Sequence, residues 1–163
     1  MASGDLLFAQ EAGAAQCPSA TAPFFVVRNN HEVLNFDTTT SWTCYFRGRM
    51  PTNYAGGGIT VQLAWMAATA TSGSIGWLVA LERLADGGTD LDADSFASDA
   101  TVTAETVDGT SGILDYSSVN ISNGANMDSV VAGDWFRLRV ARDVTNDDAA
   151  GYAQLLGVSI VEQ

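Results

Sequence analysis

The sequence contains no lysine. Its positive charge rests on seven arginines against nineteen acidic residues, for a net charge of −12 at pH 7. That balance argues against sequence-independent nucleic-acid binding, which relies on Lys and Arg to neutralise phosphates. It also excludes a P-loop, whose lysine has no counterpart here. No run reaches the roughly 18 apolar residues of a membrane-spanning helix. There is one histidine, His31, and two cysteines, Cys17 and Cys44. No CxxC accompanies the cysteines, so the common zinc sets are excluded. Cys44 lies in an apolar alternation and reads as a buried thiol; a Cys17–Cys44 disulfide stays open. No G-x-S-x-G elbow is present. The N-terminal MASGDLLFAQEAGAA has no basic region and carries Asp5 and Glu11, so it reads poorly as a signal peptide. The expected setting is a cytoplasm, or an assembly built there. Zero lysine with abundant Asp fits either salt adaptation or a GC-rich genome.

What is there points to β-structure. A chain of 163 residues with 47% hydrophobic content suits one domain with a real core. Alternation is clear at Trp42, Cys44 and Phe46, and again at Ile59, Val61, Leu63 and Trp65. It recurs at Ile75, Trp77, Val79 and Leu81, and at Phe136, Leu138 and Val140. Turn signals separate these runs, among them NYAGGG at 53–58, ADGGTD at 85–90 and SNGAN at 122–126. Strands are expected near 24–28, 32–37, 42–50, 58–68, 74–84, 100–107, 112–122, 134–143 and 151–161. Eight or nine strands in one domain predict an all-β antiparallel sandwich of jelly-roll type over 23–163. Residues 1–22, rich in Ala, Gly and Ser, read as an extended N-terminal arm or edge segment.

Two strands are apolar on both faces. Beside the core positions stand Ala64 and Met66 in one, and Leu78 and Ala80 in the other. Small apolar residues on an outer face predict a neighbour, either a second subunit or residues 1–22 folded back. The scarce arginines gather in GDWFRLRVARD, where Arg137, Arg139 and Arg142 fall within six residues. Alternation places Trp135, Arg137 and Arg139 on one face, opposite Phe136, Leu138 and Val140. Arg47 and Arg49 lie on the polar face of another strand, so one Arg-lined sheet surface is possible. Such a surface either docks a partner, where Trp and Arg are enriched, or pairs internally with carboxylates.

Other chemistry is thin. Asp90, Asp92 and Asp94 alternate as in an EF-hand loop, but Ser95 and Thr101 stand where Gly and Glu belong. A solvated acidic loop is the reading, with a loose calcium site left open. His31 in RNNHEV has no recognisable catalytic partner. No catalytic, cofactor or metal residue is assigned.

The segments MPTNYAGGG, ATSGSIGW, MDSVVAGDWFRLRVARD and LLGVSI lie within a stretch, about 24–163, that resembles β-sandwich proteins of tailed bacteriophages and prophages. The G-D-x-F-R-L-R-V-x-R-D run looks like the penultimate strand of jelly-roll domains in phage structural proteins. The resemblance implies a non-enzymatic virion protein with no cofactor, most concretely a capsid decoration or cement protein. Its partners would be the major capsid protein and further copies of itself, often as a homotrimer, on the capsid surface. It implies no nucleic-acid or membrane partner. A tail-fibre module recognising glycans is the alternative, and a hydrolase on the same scaffold a third. The expected interface residues are Arg47, Arg49, Ala64, Met66, Leu78, Ala80, Trp135, Arg137 and Arg139.

Overall fold

The computed structural model describes residues 2–163. Among these residues ten strands form: β1 (Leu6–Glu11), β2 (Phe24–Arg28), β3 (His31–Phe36), β4 (Thr43–Arg49), β5 (Ile59–Ala67), β6 (Ser74–Leu84), β7 (Ala100–Thr106), β8 (Asp115–Ile121), β9 (Trp135–Arg142) and β10 (Ala153–Glu162). Among the described residues the helical turns are two short 3-10 segments, Ala12–Ala14 and Ala125–Met127. All pairings are antiparallel. One sheet runs β2-β3-β10-β5-β8, with β1 also on β10; the other runs β4-β9-β6-β7. The chain is an antiparallel β-sandwich, as the alternation predicts.

The inward faces carry the residues that alternation picks out. Trp65, Trp77, Phe36, Phe46, Phe136, Leu63 and Leu81 are fully buried between the sheets. Burying each such side chain contributes about 1.5–3 kcal/mol. Phe36 meets Trp77 edge-on at 5.1 Å. The Trp65 indole N–H donates to Ser117 Oγ at 2.8 Å, and that hydroxyl donates to Glu105 Oε2 at 2.6 Å. A buried polar atom thus reaches the rim through a relay.

Strand β10 organises the larger sheet. A bulge between Leu155 and Gly157 breaks its register. Before the bulge it pairs with β3, and after it with β1 along the same edge. Gly157 is required there, because a Cβ would lie 2.8 Å from the Gln10 carbonyl. Gly48 on β4 has the same logic. A Cβ would sit 2.6 Å from the Phe8 ring and 2.7 Å from Phe136, which meet edge-on at 5.4 Å.

The stretch read as an arm laces both sheets. After β1 joins β10, the chain turns through Ala12–Ala14 and reaches the other sheet. Gln16 bridges Tyr45, and the Thr43 N–H donates to the Thr21 carbonyl. The free edge of β4 is covered in this way. β2 is the edge that keeps apolar exposure: Phe24, Phe25 and Val27 are 42%, 42% and 71% exposed.

Candidate binding faces

The outer face of the four-stranded sheet brings the arginines together. In register, Arg47 stands opposite Arg137, and Arg49 opposite Trp135. Across the other side of β9, Glu82 stands opposite Arg137 and Ala80 opposite Arg139. Arg137 makes a two-pronged contact with Glu82 through Nε and Nη2. Glu82 is only 2% exposed, so its charge needs that partner. The Glu82 hydrogen bond, against the cost of burial, holds the Arg137 guanidinium above its ordinary range.

A strap then crosses this face. The segment between β6 and β7 hydrogen-bonds to β6 through the Ala97 N–H and the Leu81 carbonyl. Phe96 stacks on Tyr45 at 5.6 Å. The Arg137 and Arg139 guanidinium carbons lie 5.1 and 4.9 Å from the Phe96 ring centre. Asp99 pairs with Arg139. Two of the arginines expected at a docking surface are therefore engaged inside the chain. Arg47 remains exposed, Arg49 donates to the Gly133 carbonyl at 2.9 Å, and Trp135 is 51% exposed.

The four apolar residues expected at a subunit contact do not share a surface. Ala64 and Met66 lie on the outer face of the six-stranded sheet, Leu78 and Ala80 on that of the other. Met66 and Ala80 are buried within the chain itself. Their cover is not residues 2–22, which run along sheet edges. The 85–99 strap spans the face that holds Ala80. Met66 lines an apolar pocket of about 400 Å³ with Val33, Leu114 and Leu156.

The six-stranded sheet offers the open face. Facing outward across β5, β8 and β10 are Thr60, Gln62, Ala64, Tyr116, Ser118, Asn120 and Ser159. The register sets Ala64 beside Tyr116, and Gln62 between Ser118 and Ser159. Tyr116 is 71% exposed. A groove of about 790 Å³ runs here, lined by Gln10, Gln62, Tyr116 and Ser159, with Glu11, His31 and Glu32 at one end. Its centre is free of charge, in a molecule at −12. A flat ring beside amides and hydroxyls can stack on an apolar surface and hydrogen-bond at its edges.

Elsewhere, Phe24, Trp42 and Tyr152 form an aromatic cluster, with Trp42 and Tyr152 stacked at 6.2 Å. Asp90, Asp92 and Asp94 are exposed in a turn closed by Asp90 itself, which accepts from the Asp92 N–H at 3.1 Å. Among the described residues no three His, Cys, Asp or Glu side chains converge to hold a metal ion. Asp115, at the start of β8, is pushed up by burial and by the nearby Asp108 and Glu105. Tyr116 is absent from the expected interface residues. Its signal was the alternation of Tyr116, Ser118 and Asn120, polar on one face of a strand.

No family model matches the chain, and no curated protein matches it. Solved structures match its fold along nearly its whole length. A family 35 carbohydrate binding module from Clostridium thermocellum superposes with a TM-score of 0.55 at 8% identity, covering 99% of this chain and 100% of that one. A carbohydrate binding module from Cellvibrio mixtus lichenase, in complex with cellotriose, gives 0.54 at 9%, covering 98% and 99%. An exo-β-1,3-galactanase from Phanerochaete chrysosporium gives 0.55 at 13%, but this chain spans only 29% of that protein. The fold is a jelly-roll β-sandwich. At these identities the likeness concerns fold alone.

Proposed function

We propose that the chain is a non-enzymatic structural protein of a phage virion, acting by adhesion as a decoration protein on the capsid surface. The observation that carries this reading is the broad, charge-free centre of the six-stranded sheet in a strongly acidic molecule. Such a face docks on another protein without bringing like charges together. Segments such as MDSVVAGDWFRLRVARD, which resemble phage structural proteins, support the same reading. Self-association, expected as a homotrimer, is assigned in this proposal to the apolar edge of β2.

The test is binding of the purified protein to empty heads and, separately, to isolated tails. Head binding that Tyr116→Ala and Gln62→Glu both weaken is the expected result. Enrichment on tails alone would sink it.

A second reading is favoured by one observation, the exposed Tyr116 in a groove lined by amides and a hydroxyl. On this reading the chain is a glycan-recognising module. Chains of like fold include carbohydrate binding modules, one of them bound to cellotriose. A glycan array separates the two: a defined sugar, lost with Tyr116→Ala and with no binding to heads, would select this one.

A further inference from the structure

Gln16 and Tyr45 exchange both backbone hydrogen bonds, at 2.8 and 2.9 Å. They form an isolated antiparallel bridge. The position next to such a pair is non-hydrogen-bonded, and Cα atoms there approach to about 4.5 Å. Here that position belongs to Cys17 and Cys44. Disulfides span Cα separations of roughly 4.4–6.8 Å. Both cysteines are free thiols; Cys17 is exposed and Cys44 is buried. Burial pushes both thiols up, and the nearness of Cys17 pushes Cys44 further.

We propose that Cys17 and Cys44 are a latent disulfide, closed by a small-molecule disulfide once the protein leaves a reducing compartment. The bond would staple the 12–22 segment to β4. That segment is otherwise tied to β4 by the Gln16–Tyr45 bridge and one Thr43–Thr21 hydrogen bond. The Cys17 thiolate attacks oxidised glutathione, forming a mixed disulfide and releasing one glutathione thiolate. Cys44 then loses its proton to solvent as the segment frays, and its sulfur attacks the Cys17 sulfur. The second glutathione leaves. Two protein thiols are oxidised and one glutathione disulfide is reduced to two thiols. The order of events suits an assembly made in a reducing cytoplasm and then released, since disulfides persist on virion surfaces.

The experiment treats the reduced full chain with oxidised glutathione, then takes intact mass, counts thiols after denaturation and records a melt. The expected product has lost two hydrogens, carries no titratable thiol and melts roughly 5–10 °C higher. Dithiothreitol reverses all three changes, and Cys17→Ser prevents them. A stable glutathione adduct on Cys17 with Cys44 still titratable would overturn the proposal. So would disulfide bonds only between molecules, or two thiols that persist through the treatment.

Discussion

Arg142 and Asp147 form a fully buried ion pair, five residues apart across the turn that follows β9. Their side chains are 0% and 1% exposed, and Nε and Nη2 each reach one carboxylate oxygen at 2.7 Å. The same guanidinium donates to the carbonyls of Gly151 at 2.6 Å, Ala149 at 2.9 Å and Phe36 at 3.4 Å. One arginine therefore satisfies a carboxylate and three backbone oxygens. Of the arginines clustered in GDWFRLRVARD, Arg137 and Arg139 pair on the outer face. The third of them closes the 143–152 turn from inside.

Asp147→Asn should destabilise the fold by about 3–5 kcal/mol, because it leaves a buried guanidinium without its counter-charge. Arg142→Lys should not rescue the site, since an ammonium lacks the planar fork that serves several acceptors. Urea unfolding of each variant checks both outcomes. A loss below about 1 kcal/mol for Asp147→Asn, the value of an exposed pair, would contradict this account.

Arg137→Gln should cost stability before it costs binding. Glu82 is buried, and removing its partner leaves a carboxylate uncompensated, a penalty of about 1–3 kcal/mol. Arg47→Gln, at an exposed position, should stay within about 0.5 kcal/mol. The contrast is read by paired thermal melts, with equal losses as the result that would refute it.

The strands were legible mainly where one face is buried and the other is not, as in β4 and β8, whose residues alternate. The expected bounds 24–28 and 74–84 coincide with β2 and β6. β1 was not legible. LLFAQE shows little alternation, and its partner β10 lies at the opposite end of the chain. The arginine face was legible as a face, since Arg47, Arg49, Arg137 and Arg139 fall at outward positions. Its internal pairing was not. Register decides that Glu82 meets Arg137, and a loop of irregular backbone decides that Phe96 and Asp99 cover Arg139. Arg142 follows the alternation to a strand end, where a charged residue is expected to meet water. Only the folded 143–152 turn makes it one of the most buried side chains.

Asp115→Asn should raise stability at neutral pH, because it removes a partly buried charge held beside Asp108 and Glu105. Burial and the nearby Asp108 and Glu105 raise the Asp115 carboxyl in the folded state. A raised carboxyl favours the folded state only when protonated, so its ionised form costs stability above that pKa. The gain should fade as pH falls through the raised value, and vanish once the unfolded carboxyl is protonated too. Asp143 runs the other way. Burial would raise it, but hydrogen bonds from Asn146 and Thr145 outweigh burial and lower it. Its contribution is present above the unfolded pKa and is lost as pH falls through the folded one. Melts of wild type, Asp115→Asn and Asp143→Asn from pH 3 to pH 7 separate the two signs. A benefit from Asp115→Asn that grows toward acid pH would be inconsistent with the raised carboxyl.

Val27→Lys should abolish self-association while leaving the fold intact. β2 pairs with β3 on one side only, and Val27 is its most exposed residue. Residues 24–27 carry no charge, and Arg28 is turned inward to Gln154 and the Ala68 carbonyl. An apolar edge of this kind is a template for a further strand, and a lysine placed on it blocks the approach. Two copies at −12 repel each other, so added salt should strengthen the wild-type association by screening that repulsion. An association made of surface ion pairs would weaken instead. Sedimentation equilibrium at low and high salt reads both the mass and the sign of the salt effect. A wild type that stays monomeric at every concentration, or a Val27→Lys oligomer of unchanged mass, would remove β2 from the account.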